Sequence, residues 1–337
     1  MPNLPKPRLR RTARTRGGVV TRPSEPERPN VEIVEFVSDD GQSLRWINIE
    51  RPRPVDRAWL EEHFDFHALD YEDVYSRNQR PKVDEYDDYL FVVLHFPAYD
   101  KTVGRLNAAE LDVFVGPDYV ITLPNEPIQP LEYLFERCRT RDDLREQLFS
   151  KGPGYLLYKI VDDCVDASFP MLRKMGNKLE RLEDDIFEGE HSSEVVRDIS
   201  NVKQEIINFR RVVRPQRAAL KDLEATKRYI PDDLEIYFDD INDASERIWD
   251  TLENYKEVVE ALESTNEAVL SHRLNDTFRV LTAISVIVLP LTLIASIWGM
   301  NTKVPGEGSH AGFFAIVGVM AIVLVATILL FKRRGWL

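Results

Sequence analysis

The chain has 337 residues, of which 43% are hydrophobic and 30% are charged, and its formal net charge is −13 at pH 7. This length is enough for two domains, and the two cysteines, Cys138 and Cys164, lie far apart without the spacing of a metal site. The composition argues against a small disulfide-stapled protein and suits a reducing compartment.

Residues 1–30 differ from the rest of the chain in charge. They carry eight Lys or Arg and two Glu, so this stretch is +6 and the remainder is −19. Because the stretch is rich in Pro and poor in large apolar residues, we expect a disordered basic arm. Such an arm can bind anionic lipid or nucleic acid, but it is more often a solvated tail, and we predict no nucleic-acid partner.

Residues 31–150 have the pattern of a mixed α/β domain. A helix is predicted over 54–66, and helices take over from about Pro130. Strands are predicted at 31–37, 45–49, 89–95, 110–115 and 119–122. The Gly- and Pro-containing stretch 151–154 then breaks the chain, and 155–188 and 193–229 predict two helices of a hairpin that spans residues 151–230.

Residues 232–298 predict one very long helix. No Gly or Pro occurs between Pro231 and Pro290, and large apolar residues recur every seven positions. These residues are Leu234, Ile241, Ile248, Tyr255, Leu262 and Val269. A helix of this length would be about 100 Å long. It needs neighbours to pack against, which favours an oligomer.

Two uncharged runs near the C-terminus, 280–298 and 311–331, are long enough to cross a membrane. The first continues the long helix, and the loop between the runs, residues 299–310, is too short for anything but an antiparallel pair. Basic residues flank the pair at Arg273, Arg279 and the tail 332–337, whereas the loop has only Lys303. This bias predicts a cell-membrane protein with both termini in the cytoplasm.

The first span carries a stripe of mostly small and polar residues on one face. The stripe recurs at alternating three- and four-residue steps, which is heptad spacing. It consists of Asn275, Phe278, Thr282, Ser285, Leu289, Thr292, Ser296 and Gly299. A helix that only anchors the protein in lipid gains nothing from polar side chains on its surface. The stripe therefore indicates either close helix packing or the wall of a pore. The spacing alone leaves both interpretations open.

Five short motifs resemble the CorA-type family of divalent-cation transporters. Trp298-Gly299-Met300-Asn301 resembles the family's Gly-Met-Asn signature, with Trp in place of the usual Tyr, and 289–292 resembles its Met-Pro-Leu-Thr step. The remaining matches are 79–82 with 89–94, Tyr155-Leu156-Leu157-Tyr158, and the basic ending 332–337. The resemblance covers roughly residues 45–337. It implies an α+β membrane protein: an N-terminal α/β cytoplasmic domain, a bundle of long stalk helices and two C-terminal transmembrane helices, assembled as a homopentameric funnel.

The resemblance also implies an ion pathway. Gly299, Met300 and Asn301 would form the selectivity filter, where neutral oxygens meet an Mg²⁺ ion that keeps most of its water. The residues implied to line or gate the pore are Asn275, Phe278, Leu281, Ser285, Leu289, Thr292 and Ser296. Two positions depart from the family's pattern: Ser264 stands where an Asp ring is common, and Lys303 lies in a loop that is usually acidic.

Four carboxylates match the family's regulatory Mg²⁺ ligands between subunits. Asp73 and Glu72 precede the 79–82 motif, Asp240 lies on the long helix, and Asp162 follows the Tyr155–Tyr158 motif. With 57 acidic residues in the chain, most carboxylates are solvated surface, so only the residue-by-residue match singles these four out.

The chain shows no motif of an enzyme and no site for an organic cofactor. We therefore predict a pentameric, channel-like carrier through which Mg²⁺, and also Co²⁺ or Ni²⁺, enters down its gradient, with cytoplasmic Mg²⁺ closing the pore. Two alternatives remain open at this stage. One is a Zn²⁺ transporter of the same superfamily, and the other is a membrane-tethered oligomeric scaffold that conducts nothing. His63 and His67 lie one helical turn apart, which could make half of a zinc site, but without further ligands in the sequence we do not predict one.

Overall fold

A computed structural model of the protein describes residues 28–38, 41, 43–76, 79–100, 105–188, 192–226, 228–300 and 310–334. The predicted basic arm therefore lies almost entirely outside the described residues. The strands in the described part are β1 (Glu32–Val37), β2 (Ser43–Asn48), β3 (Lys82–Glu85), β4 (Leu90–Asp100), β5 (Arg105–Val115) and β6 (Tyr119–Pro124). The α-helices there are α1 (Pro54–His63), α2 (Ala68–Tyr75), α3 (Gln129–Thr140), α4 (Asp142–Phe149), α5 (Pro153–Asp166), α6 (Ser168–Glu188), α7 (Ser192–Ala225), α8 (Glu235–Trp298) and α9 (His310–Arg333).

The strands form one six-stranded mixed sheet in the order β1-β2-β6-β5-β4-β3. Only β2 and β6 pair in parallel, and the other neighbours are antiparallel. The short strand β3 forms one edge of the sheet. Its residues Lys82 and Asp84 pair with Val93 and Phe91 of β4, which places all four side chains on one face.

Each face of the sheet is covered by its own apolar core. On one face, Phe66 stacks on Phe114 with ring centroids 4.1 Å apart, next to side chains of α1 and α2. The other face packs against the helices that follow the sheet, and its core runs on without a break into the bundle of α5, α6, α7 and α8. The predicted α/β body is confirmed, and both of its faces are buried.

Three local features differ from the sequence prediction. The helix predicted over 54–66 ends at His63, and α2 follows as a separate helix. Strand β3 was not predicted, because four mostly polar residues at a sheet edge give no apolar alternation. The helix predicted over 155–188 is divided at Ala167, since Pro170 has no N–H to donate to the carbonyl of Asp166.

Helices α7 and α8 pack against each other along the stalk. The heptad residues predicted from the sequence are buried or half-buried on α8, which confirms the packing face. Trp249 lies between the guanidinium groups of Arg210 and Arg217, each 5.2 Å from its ring centroid. These two arginines also pair with Glu253 and Glu246 of α8. The stalk is therefore held by apolar contacts together with ion pairs at its rim.

The junction between α7 and α8 is tied to the hairpin of β3 and β4. Glu85 of β3 accepts a hydrogen bond of 2.6 Å from Thr226 Oγ1 and one from Arg228. The hydroxyl of Tyr229 donates to the carbonyl of Asp88 at 2.6 Å. On the other side, Gly154 lies so close that a Cβ atom there would sit 1.9 Å from the carbonyl oxygen of Tyr229. The base of the stalk helix is thus fixed to the edge of the sheet.

Helices α8 and α9 are both long and apolar enough to cross a membrane. Only 6% of the apolar window of α8 and none of that of α9 is buried within the chain. The two helices contact each other, and α8 continues without a break from the stalk into its apolar part, residues 280–298. These helices confirm the predicted pair of C-terminal membrane helices.

Candidate functional site

The stripe lies on the uncovered side of α8, together with the predicted gate residue Leu281. The seven residues predicted to line or gate the pore are all exposed in the chain: Asn275, Phe278, Leu281, Ser285, Leu289, Thr292 and Ser296. Ala283 is buried and Ile287, Leu291 and Ile294 are half-buried, and these positions recur on the opposite side of the helix. We infer that α9 packs along that opposite side. The stripe is therefore free to face another copy of α8.

Three hydroxyl groups of the stripe, those of Thr282, Ser285 and Thr292, donate to backbone carbonyls of their own helix. Ser285 Oγ donates to the carbonyl of Leu281 at 2.9 Å, and Thr292 Oγ1 donates to that of Val288 at 2.9 Å. A hydroxyl oxygen that has given its proton to the backbone keeps its lone pairs as acceptors. The stripe accordingly offers neutral oxygen acceptors rather than charges. Acceptors of this kind suit a cation that carries its own water.

The predicted filter begins at the last turn of α8. Gly299 donates its N–H to the carbonyl of Ala295 at 2.9 Å and closes the helix, and Met300 after it is exposed. Asn301 and Lys303 lie outside the described residues. The structure thus places the start of the Gly-Met-Asn motif at the apolar end of the long helix, at the far end of α8 from the body.

A polar groove of about 580 Å³ lies between α2 and the edge strand β3. It contains Glu72 and Asp73, two of the predicted regulatory ligands, on the last turn of α2. The Nζ atom of Lys82 lies 2.7 Å from Asp73 Oδ2 and 2.5 Å from Asp84 Oδ2. Sequence reasoning singled out the two carboxylates but missed this lysine as their partner.

Asp70 lines the groove and is held there by two tyrosines. Asp70 is buried and accepts hydrogen bonds from the hydroxyls of Tyr86 at 3.0 Å and Tyr89 at 2.7 Å. Burial raises the pKa of the Asp70 carboxyl, although these two hydrogen bonds lower it in part. Burial and the bond to Asp70 raise the pKa of Tyr86 to about 12, so this hydroxyl remains a donor.

The other two predicted ligands lie on α5 and α8, two helices that pack against each other. Asp162 of α5 pairs with Lys159 at 2.8 Å and is largely covered, whereas Asp240 of α8 is exposed. Burial raises the pKa of the nearby Asp166 carboxyl, and the charges of Asp162 and Asp240 raise it further. The charges of Asp162 and Asp240 therefore both affect the same group, the carboxyl at the end of α5.

The described residues of a single chain do not assemble a metal site from these carboxylates. No group of three or more His, Cys, Asp or Glu side chains among them has the arrangement to hold a metal ion. His63 and His67, which the sequence did not favour as a zinc site, are not on one helix: His63 ends α1 and His67 caps α2. The Nδ1 atom of His63 is 2.8 Å from the carbonyl of Trp59, and that of His67 accepts a hydrogen bond from the N–H of Leu69.

Residues 41–333 match the model of the family described as CorA-like Mg²⁺ transporter protein. The chain belongs to the CorA-like Mg²⁺ transporter family. It is a membrane-integral divalent-cation transporter, and proteins of this family are not enzymes.

Individual relatives agree with the family over nearly the whole chain. The cobalt/magnesium transport protein CorA of Thermotoga maritima is 30% identical over 306 residues, which is 88% of this chain and 85% of the relative. The complete structure of the CorA magnesium transporter from Methanocaldococcus jannaschii matches 90% of this chain and 94% of its own, with a TM-score of 0.76 and 20% identity. The cytoplasmic domain of ZntB from Vibrio parahaemolyticus matches 68% of this chain and 88% of its own, with a TM-score of 0.59 and 17% identity. These two structural matches show the fold.

Proposed function

We propose that this CorA-family protein is a homopentameric, channel-like transporter that admits Mg²⁺, and also Co²⁺ or Ni²⁺, down the electrochemical gradient. The relative from Thermotoga maritima is named a cobalt/magnesium transport protein, which supports this choice of ions. The bias of basic residues toward the ends of the membrane helices supports a cell-membrane protein with both termini in the cytoplasm.

The uncovered stripe on α8 is the observation that carries the proposal. A face with hydroxyl and amide groups next to exposed Phe278, Leu281 and Leu289 is poorly suited to lipid, because those polar groups gain nothing there. Five such faces around an axis would form a narrow path with acceptor oxygens and an apolar constriction. Gly299 and Asn301 would supply a ring of neutral acceptors at the mouth of that path.

Regulation is proposed to act through the groove between α2 and β3. Asp73 and Glu72 of one subunit would face Asp240 and Asp162 of the next, and Mg²⁺ would hold these carboxylates together. The donor set fits, since Mg²⁺ prefers oxygen ligands and keeps several waters. At an Mg²⁺ concentration of ten times Kd, each site would favour the bound, closed state by about 1.4 kcal/mol, so five sites would supply about 7 kcal/mol. That is enough to convert a mostly open population into a mostly closed one.

The hydrogen bonds that join the β3–β4 hairpin to the α7–α8 junction support a mechanical link between the groove and the pore. Lys82, Asp84 and Glu85 are on the same short strand, and Glu85 holds Thr226 and Arg228 just before α8 begins. A displacement of β3 by a metal in the groove would therefore act on the base of the helix that lines the pore. The same helix extends 64 residues to the filter.

Ion uptake into liposomes tests the proposed function. Purified protein should admit Mg²⁺, and Zn²⁺ offered side by side should enter more slowly at equal concentration. Faster Zn²⁺ uptake would replace the magnesium assignment by zinc transport. Absence of uptake for every divalent ion, from a protein that is assembled and correctly inserted, would contradict transport and favour a scaffold.

A further inference from the structure

Lys82 occupies the carboxylate to which the regulatory metal is proposed to bind. Its ammonium lies 2.7 Å from Asp73 Oδ2, and the Asp73 side chain is only 20% exposed, so little of this carboxylate faces water. The ammonium also lies 5.3 Å from the centre of the Phe91 ring. Lys82 is therefore held within the groove at three points: Asp73, Asp84 and an aromatic ring.

The side chain of Lys82 stays positively charged at physiological pH. Burial alone would lower its pKa, but the hydrogen bonds from its ammonium to Asp73 and Asp84 outweigh burial and raise the pKa. A group that is always cationic at physiological pH competes with any metal cation for the same oxygen. An Mg²⁺ ion held by Asp73 Oδ2 would repel an ammonium on the same oxygen.

We propose that Lys82 is an internal competitor of the regulatory Mg²⁺, and that it sets the Mg²⁺ concentration at which the body closes. This inference rests on the regulatory role proposed above for Asp73. When Mg²⁺ binds Asp73, Lys82 leaves that carboxylate and remains on Asp84, two residues along the same strand and on the same face. Asp84 thus provides a second position that keeps the ammonium inside the groove.

The two partners of Lys82 have opposite effects on the metal. Without the ammonium, Asp73 is free, so Mg²⁺ binds at lower concentration. Without Asp84, the ammonium has only Asp73, so Mg²⁺ needs a higher concentration to displace it. A cation that merely lay in the neighbourhood would contribute only a weak, salt-screened effect. Arg80 provides that comparison, because it is exposed two residues before Lys82 and carries the same charge.

The test measures how much Mg²⁺ protects the full-length, detergent-purified protein from limited proteolysis. Lys82→Met keeps the apolar stem on Phe91 and should lower the midpoint of protection about three- to tenfold. Lys82→Gln should do the same if the Met variant folds poorly. Asp84→Asn should raise the midpoint, and Arg80→Met should leave it within twofold of the parent.

The outcomes separate this inference from the proposed function. If Asp73→Asn and Asp240→Asn abolish protection but Lys82→Met and Lys82→Gln leave the midpoint unchanged, the lysine is not a competitor and the regulatory site stands. An equal shift for Arg80→Met and Lys82→Met would also overturn the inference, because general electrostatics would then explain both. If Asp73→Asn and Asp240→Asn have no effect, the regulatory site itself is wrong and the inference fails with it.

Discussion

The α/β body and the two membrane helices differ in where their apolar side chains lie. In the body, large residues such as Trp46, Phe91 and Phe114 are fully buried within the chain. In α8 and α9 almost the whole apolar window is exposed. The body buries its large apolar side chains within its own chain, whereas the apolar surface of the membrane helices has to be covered from outside the chain, by lipid and, in the proposed pentamer, by other subunits.

A substitution in the proposed filter should have the largest effect, and this effect is on ion uptake through the membrane helices. Asn301→Ala removes the amide oxygen that each subunit is proposed to offer at the mouth of the pore. We expect Mg²⁺ uptake into liposomes to be abolished, while the body still folds and the oligomer still assembles. Thr302→Ala, one position further along the loop, is the matched control and should retain uptake. Near-normal uptake by Asn301→Ala would remove Asn301 from the filter.

A charge in the constriction should give the next largest effect. Leu281 is 58% exposed on the uncovered side of α8. Because a ring of carboxylates cannot exclude water as leucine does, Leu281→Asp should raise the basal leak measured at inhibitory Mg²⁺. Leu281→Ile preserves the apolar surface and should conduct like the parent. If the leak is the same for all three proteins, Leu281 faces a neighbouring helix and the pore stripe is assigned to the wrong side.

The third and smallest predicted effect is on the stability of the protein. It is tested by substituting one glycine in the body and one in the membrane helices. At Gly154, a Cβ would lie 1.9 Å from the carbonyl oxygen of Tyr229, whereas at Gly318 of α9 nothing lies within 4 Å. Gly154→Ala should lower the free energy of unfolding of the body by about 1–3 kcal/mol. Gly318→Ala should leave it unchanged, as thermal unfolding of the purified protein would show. Equal stability for both variants would mean that the α7–α8 junction is loose where the structure shows it held.

The sequence predicted those parts of the molecule in which apolar residues follow a regular pattern or form a long run. The heptad at Ile241, Ile248 and Leu262 predicted a packing face, and uncharged runs predicted the membrane helices; both are confirmed. The groove could not be predicted in this way. Its essential contact joins Asp73, at the end of a short helix, to Lys82 on a four-residue polar strand, and neither element has an apolar pattern.

The proposed regulatory carboxylates were not found from an apolar pattern either. Their identity came from a resemblance of short motifs, and the structure places Asp73 in the groove and Asp162 and Asp240 on the packed helices α5 and α8. The proposed meeting of Asp73 with Asp240 joins two chains, so no feature of one chain, whether in its sequence or in its fold, can show it.

Cross-linking between Asp73 and Asp240 tests the central claim most directly. Both native cysteines, Cys138 and Cys164, are buried, so in a chain with Asp73→Cys and Asp240→Cys the two introduced thiols are the ones expected to react. Treated with a short bis-maleimide in detergent, this protein should give a ladder of covalent species that ends at five subunits, and each single-cysteine variant should stay monomeric on a denaturing gel. A doubly substituted protein that also stays monomeric, with both thiols shown to be reactive, would contradict a regulatory site shared between subunits.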